Sequence, residues 1–308
     1  MAASAPPSSP ALPVLACMGA IASFGAMDAA MKALSLEMGT LNALFWRCLA
    51  ASLIAGLLYG LQRNRIALDA IRLRIHARRA LVTTAMAFLF FYGLARTPMA
   101  EAAAITFISP LIALYLAAVL LGERIGRRAV LASLLGLAGV VVIIAGKMGE
   151  GAFDRDAQQG IIALLASAVL YAWNLVLQRE QAQIAAPREI AFFQNAMVTL
   201  VYALAMPFIG IVPDAEWQWQ LIGAGGALAV VSVLLFSWGY ARAEAQLLVP
   251  IEYSMFIWAA LFGWLFFDEM PGWATLGGTV LILAGCWVVT RERPDLVENA
   301  PQSEELAT

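Results

Sequence analysis

The chain has 308 residues, of which 62% are hydrophobic and 13% charged, and its formal net charge is −2. A water-soluble domain of this size needs more polar surface than that to cover its core, so the composition places the chain in a membrane. The near-neutral balance, with no long block of one sign, excludes a nucleic-acid binder, whose basic footprint must neutralise several phosphates. Cys17, Cys48 and Cys286 all fall inside apolar runs, where a thiol acts as a small hydrophobe, and they predict neither a disulfide framework nor a metal site.

A helix needs about 20 mostly apolar residues to cross the hydrocarbon core. Ten such runs are predicted in chain order, at Pro13–Leu36, Leu41–Leu61, Ala80–Ala95, Ala100–Leu121, Ala129–Gly146, Gly160–Val176, Ile190–Gly210, Leu221–Tyr240, Leu247–Phe267 and Trp273–Thr290. Continuous runs of this kind do not resemble the short alternating segments of a β-barrel, so the predicted fold class is an all-α integral membrane protein. The first 12 residues lack Lys and Arg, so the first run is expected to be a retained span rather than a cleaved leader. With both termini inside, fourteen of the nineteen Lys and Arg residues lie on the inner side and four on the outer, with Arg47 inside the second span. That asymmetry predicts cytoplasmic termini in a cell inner (cytoplasmic) membrane. Residues 291–308 are acidic and contain proline, and are expected to form a disordered cytoplasmic tail.

An offset of 146 residues relates the two parts of the chain. It carries YGLAR at Tyr92–Arg96 onto WGYAR at Trp238–Arg242, Leu137–Gly139 onto Leu283–Gly285, Gly122-Glu123 onto Asp268-Glu269, Asp28 onto Asn174 and Lys32 onto Gln178. Register held over separate places implies two homologous halves of five spans each. Because five is odd, the second half enters from the opposite side, which predicts an inverted repeat around a central cavity and hence a secondary transporter working by alternating access.

The stretch LARTPMAEAAAITFISPLIALYLAAVLLGERIGRRAVLASLLGLAGVVVI, with its small-residue start, Pro110, Gly122–Arg124 and its Leu-Ala-Gly helix, resembles the second part of an EamA domain of the drug/metabolite transporter superfamily. VPIEYSMFIWAALFGWLFFDEMPGWATLGGTVLILAGCWVV is similar to the same element, with Asp268 in place of a glycine and Phe256 in place of a proline. The resemblance implies an N-terminal cytoplasmic segment at 1–12, a first repeat at 13–146, an outer linker at 147–159 and a second repeat at 160–290. It also implies a solute carrier rather than an enzyme, with no cofactor, and with a small-molecule substrate and the lipid bilayer as partners.

Charges inside a bilayer cost roughly 2.5 kcal/mol or more each, so each needs a partner, water or a task. Asp28 and Lys32 share one helical face, and Arg47 lies at matching depth on the next span. They form either a bridge that pins the first two helices or the lining of a cavity that orients a charged substrate. In the second half the corresponding face carries Tyr171, Asn174 and Gln178, with Trp173 beside them. Tyr92, Trp238, Tyr253 and Trp258 are candidates for an aromatic wall, against the alternative of an interfacial belt. Glu252 is the candidate for proton coupling, with a solvated helix-start carboxylate as its alternative. Glu269 is expected to be solvated or loop-ordering, and His76 to lie on the surface. Small residues at Gly136 and Gly278 predict a packed scaffold or a dimer contact, in a monomer or weak homodimer. A mixed-charge, aromatic lining fits a zwitterion, which makes amino acids, aromatic ones included, the expected exported cargo. The alternative is another small metabolite such as a vitamin, nucleotide derivative or drug, and a membrane enzyme stands behind both.

Overall fold

The computed structural model describes residues 11–61, 69–109, 111, 112, 115, 127–149, 154–182, 184–240, 242 and 251–290. Pro110, Gly122–Arg124, the start of the ninth predicted span and the acidic tail lie outside them. All regular structure among the described residues is helical: α1 (Ala11–Met38), α2 (Thr40–Gly60), α3 (Ala70–Leu94), α4 (Met99–Thr106), α5 (Arg127–Gly149), α6 (Arg155–Ala182), α7 (Pro187–Ala203), α8 (Met206–Ile209), α9 (Glu216–Tyr240), α10 (Met255–Phe267) and α11 (Trp273–Thr290). Four of them, Ala11–Met38, Thr40–Gly60, Arg155–Gln178 and Glu216–Gly239, are long and apolar enough to cross a membrane. Large apolar side chains lie bare on the outside, among them Leu53, Phe208 and Trp273 at 68%, 86% and 88% exposure. Water would penalise such a surface and lipid does not.

Local chemistry sets the boundaries. Gly39 alone separates α1 from α2, at a φ of 81° that a side chain resists. Asp69 caps α3, its carboxylate accepting from the Arg72 amide at 2.7 Å. The helix therefore starts ten residues before the predicted third span, because its charged first turns pack on α6 and α7 rather than unravelling into a loop. Pro187 opens α7. The predicted seventh span is divided by the turn before α8, where Pro207 cannot continue the helix. Likewise α6 begins at Arg155, inside the predicted outer linker.

The 146-residue offset reappears in three dimensions, since α3 and α9 begin and end at positions 146 apart. The helix turns at Phe107–Ile108 and at Tyr253–Ser254 are equivalent by the same shift. Packing follows it as well: α1 lies on α9 and α3 on α6, while α2 lies on α9 and α3 on α7. The pairs α2–α7 and α5–α11 join equivalent helices to each other. The α5–α11 contact is built on glycines, because a Cβ at Gly139 would stand 2.5 Å from the Gly278 carbonyl oxygen, and the converse holds equally. The small residues thus close a contact within the chain.

Cross-contacts show which helix ends meet. Lys32 of α1, Thr97 after α3, Met99 of α4 and Glu269 after α10 gather at one end, together with Lys147 of α5 and Gln159 of α6. Trp46 near the start of α2 meets Trp219 near the start of α9. The opposite end gathers His76 of α3, Gln181 of α6 and Glu189 of α7, with Cys17 of α1 against Gly239 of α9.

Candidate functional site

The polar face of α1 organises the first of these ends. Lys32 is 3% exposed; its ammonium pairs with Glu269 Oε1 and donates to the Thr97 carbonyl at 2.7 Å. Lys32 thus pairs over a long range rather than with Asp28 on its own helix. Glu269, partly exposed beyond the end of α10, orders its surroundings: its Oε2 accepts from the Met99 amide at 2.8 Å, so one side chain ties α1, the start of α4 and the end of α10. Asp268 sets it there by taking the left-handed conformation at φ 57°, after which the Glu269 amide donates back to the Gly263 carbonyl. Nearby, Lys147 and Glu101 pair at 2.9 Å.

A cavity of about 510 Å³ opens at this end, lined by Lys32, Arg96, Lys147, Asp154, Asp156 and Glu269, with Phe267. The Phe267 ring lies 5.1 Å from the Lys32 ammonium. A second cavity of about 310 Å³ adjoins it, lined by Ser35, Asn42, Phe88, Tyr92 and Arg96 among others. Arg96 borders both, its guanidinium 3.6 Å over the Tyr92 ring, while the Tyr92 hydroxyl donates to Gln159 at 2.9 Å.

One helical turn deeper, Asp28 is 6% exposed and within electrostatic reach of Arg47. The Arg47 Nε is buried without a hydrogen-bond partner. Trp258 stacks on Phe262 at 5.8 Å and lies against Gly25 of α1, three residues before Asp28. Tyr253 meets Phe107, its counterpart turn, edge-on at 5.6 Å.

At the far end Asn174 and Gln178 converge on Arg79, which lies one position before the predicted third span. The Arg79 guanidinium donates to Asn174 at 3.1 Å, to Gln178 at 3.2 Å and to Gln181. Gln181 Nε2 donates to His76 Nδ1 at 2.6 Å, so the proton on Nε2 faces Glu189 Oε1 at 3.2 Å. His76 is fully buried and stacked on Phe193 at 4.9 Å, not a surface residue. Arg72, His76 and Arg79 recur at helical spacing, as do Asn174, Gln178 and Gln181; that periodicity was the available signal.

Of the predicted residues, Asp28, Lys32, Arg47 and Trp258 are thus brought together around α1, Tyr92 borders the second cavity and touches Arg96, which borders both, and Asn174 and Gln178 belong to the far network. Tyr171 is half-buried within reach of Arg79 and Glu252. Trp173 and Trp238 stand on the outer surface, 45% and 38% exposed, the latter under the Arg242 guanidinium, and Glu252 is exposed. Among the described residues no group of three or more His, Cys, Asp or Glu side chains is placed to hold a metal ion.

A lipid-facing exterior around paired helices with buried charge and open cavities defines a polytopic membrane protein. The chain belongs to the EamA-like transporter family, which matches it twice, over residues 11–145 and 158–291. It is 26% identical over 280 residues to the pseudopaline exporter CntI of Pseudomonas aeruginosa, covering 91% of this chain and 96% of that one. It is 28% identical over 206 residues to the aromatic amino acid exporter YddG of Ancylobacter novellus, covering 66% and 71%. With the S-adenosylmethionine uptake transporter of Rickettsia prowazekii it shares 21% identity over 87% and 89% of the two chains. One solved crystal structure, 23% identical, superposes with a TM-score of 0.60 over 90% of this chain and 96% of its own, which bears on the fold alone. The family and these relatives make the chain a membrane transporter of small molecules.

Proposed function

We propose that the protein exports amino acids, aromatic ones included, across the inner membrane by alternating access between two inverted five-span repeats, ten spans in all, with both termini cytoplasmic. The directions of the helices support the inversion. α1 finishes at the Lys32 end, where its counterpart α6 begins, and α3 finishes there, where its counterpart α9 begins. Rocking one repeat against the other then exposes a shared interior to each side in turn.

The observation that carries the cargo reading is the polar ladder along α1, with the Lys32–Glu269 ion pair at the outer cavity and the Asp28 carboxyl, near Arg47, one turn deeper. Such a ladder offers an α-ammonium and an α-carboxylate a partner at each step, and Trp258 beside it offers an aromatic side chain a stacking face. No cofactor is called for, and the unit that works is a monomer or a weak homodimer.

Sealed liposomes containing the purified protein should accelerate counterflow of labelled amino acids over protein-free vesicles and release them chemically unchanged, which also separates a carrier from an enzyme. A second reading keeps the mechanism and changes the cargo to another small metabolite, favoured by the long matches to the pseudopaline and S-adenosylmethionine transporters. Flux of such a metabolite, with none of any amino acid, decides for it.

A further inference from the structure

We infer that the Lys32–Glu269 pair is an outer gate operated by the substrate, which passes zwitterions and rejects solutes carrying one charge or none; this rests on the export reading above. The pair joins the two repeats in the lining of the 510 Å³ cavity, so any opening between α1 and α10 at this end must separate it. Lys32 is 4% exposed at the side chain and Glu269 20%, which leaves the carboxylate reachable from the cavity and the ammonium behind it.

The cost of separating the pair sets the selectivity. A buried charge deprived of its partner is strongly destabilising. A neutral solute leaves both groups unpaired, an amine leaves Lys32 unpaired and a carboxylic acid leaves Glu269 unpaired. A zwitterionic α-amino acid replaces both partners in one event, its carboxylate on Lys32 and its ammonium on Glu269. Each side chain keeps a backbone anchor meanwhile, Lys32 on the Thr97 carbonyl and Glu269 on the Met99 amide, so neither follows the solute. The left-handed Asp268 and the bond from the Glu269 amide to Gly263 hold that carboxylate from behind. The arrangement is not repeated by Gln178, the counterpart of Lys32, which is neutral and held by Arg79.

The test is competition for counterflow of labelled phenylalanine by unlabelled phenylalanine, phenethylamine and 3-phenylpropionate, in the wild type and in the double variant Lys32→Gln/Glu269→Gln. The wild type should prefer phenylalanine over either analogue by at least about 100-fold, since sites that pair buried polar groups with a substrate reject analogues lacking the partner by up to about 10⁴–10⁵-fold. In the double variant the three should compete within about fivefold. Should its flux be too low to measure, quenching of tryptophan fluorescence by the same three solutes gives the same ratio without turnover. Wild-type preference retained in the double variant overturns the gate alone. Neither flux nor binding of phenylalanine in the wild type overturns the export reading and the gate with it.

Discussion

Lys32 and Arg79 mark the two ends of the protein, and they are satisfied in different ways. Lys32 depends on a charge, so Glu269→Ala should destabilise by about 3–5 kcal/mol by leaving a buried ammonium unpaired. Adding Lys32→Met to Glu269→Ala should recover most of that loss, read as the midpoint of thermal aggregation in detergent; a double variant as unstable as the single would show that the pair is not coupled. Arg79 instead serves three amide oxygens. Arg79→Ala strands them and should cost about 1–3 kcal/mol, with Arg79→Lys intermediate because one ammonium cannot reproduce the fork. Both readings were half visible in the sequence. The polar face of α1 was legible from spacing, whereas its partner was not, because Glu269 lies 237 residues away and only packing brings it near.

At the scale of the element, glycine has two separable roles. Gly39 sits at φ 81° with no atom within 4 Å of a built Cβ, so Gly39→Ala meets only backbone strain and should cost about 1 kcal/mol. Gly223 has equally open space inside α9 without that φ, and Gly223→Ala should stabilise by about 0.5–1 kcal/mol. The opposite signs are measurable as opposite shifts in the thermal midpoint. Gly278→Leu adds a branched side chain where even a Cβ meets the Gly139 carbonyl. It should separate α5 from α11 and abolish monodisperse protein on size exclusion, since overpacking alone costs about 1–3 kcal/mol and here the obstacle is backbone. Hydropathy found these helices but misplaced their ends. Lipid selects apolar residues only across its own thickness, so the charged first turns of α3, which leave the apolar zone and bury against α6 and α7, carry no apolar signal.

For the molecule as a whole, the proposed orientation is open to direct labelling. In a background with the three native cysteines replaced by serine, Leu36→Cys on the rim of the outer cavity should react with an impermeant maleimide in intact cells. Arg78→Cys, paired with Glu180 at the other end, should react only after permeabilisation. Equal labelling of both in intact cells would remove the assigned sidedness, and reversed labelling would invert it.

Sequence by itself determined that the chain lies in a membrane, that it is helical, and that it carries the same unit twice, because these follow from composition and periodicity summed along the chain. It also determined that charge is buried in the first span, since Asp28 and Lys32 interrupt an apolar run. Only the tertiary structure decided how those charges are partnered. Glu269, His76 and Arg79 each look like loop residues in one dimension; helices from the other repeat close over His76 and Arg79 and bury them, and partly cover Glu269. Pair choice depends on distance through space, which a linear pattern of residue types does not encode.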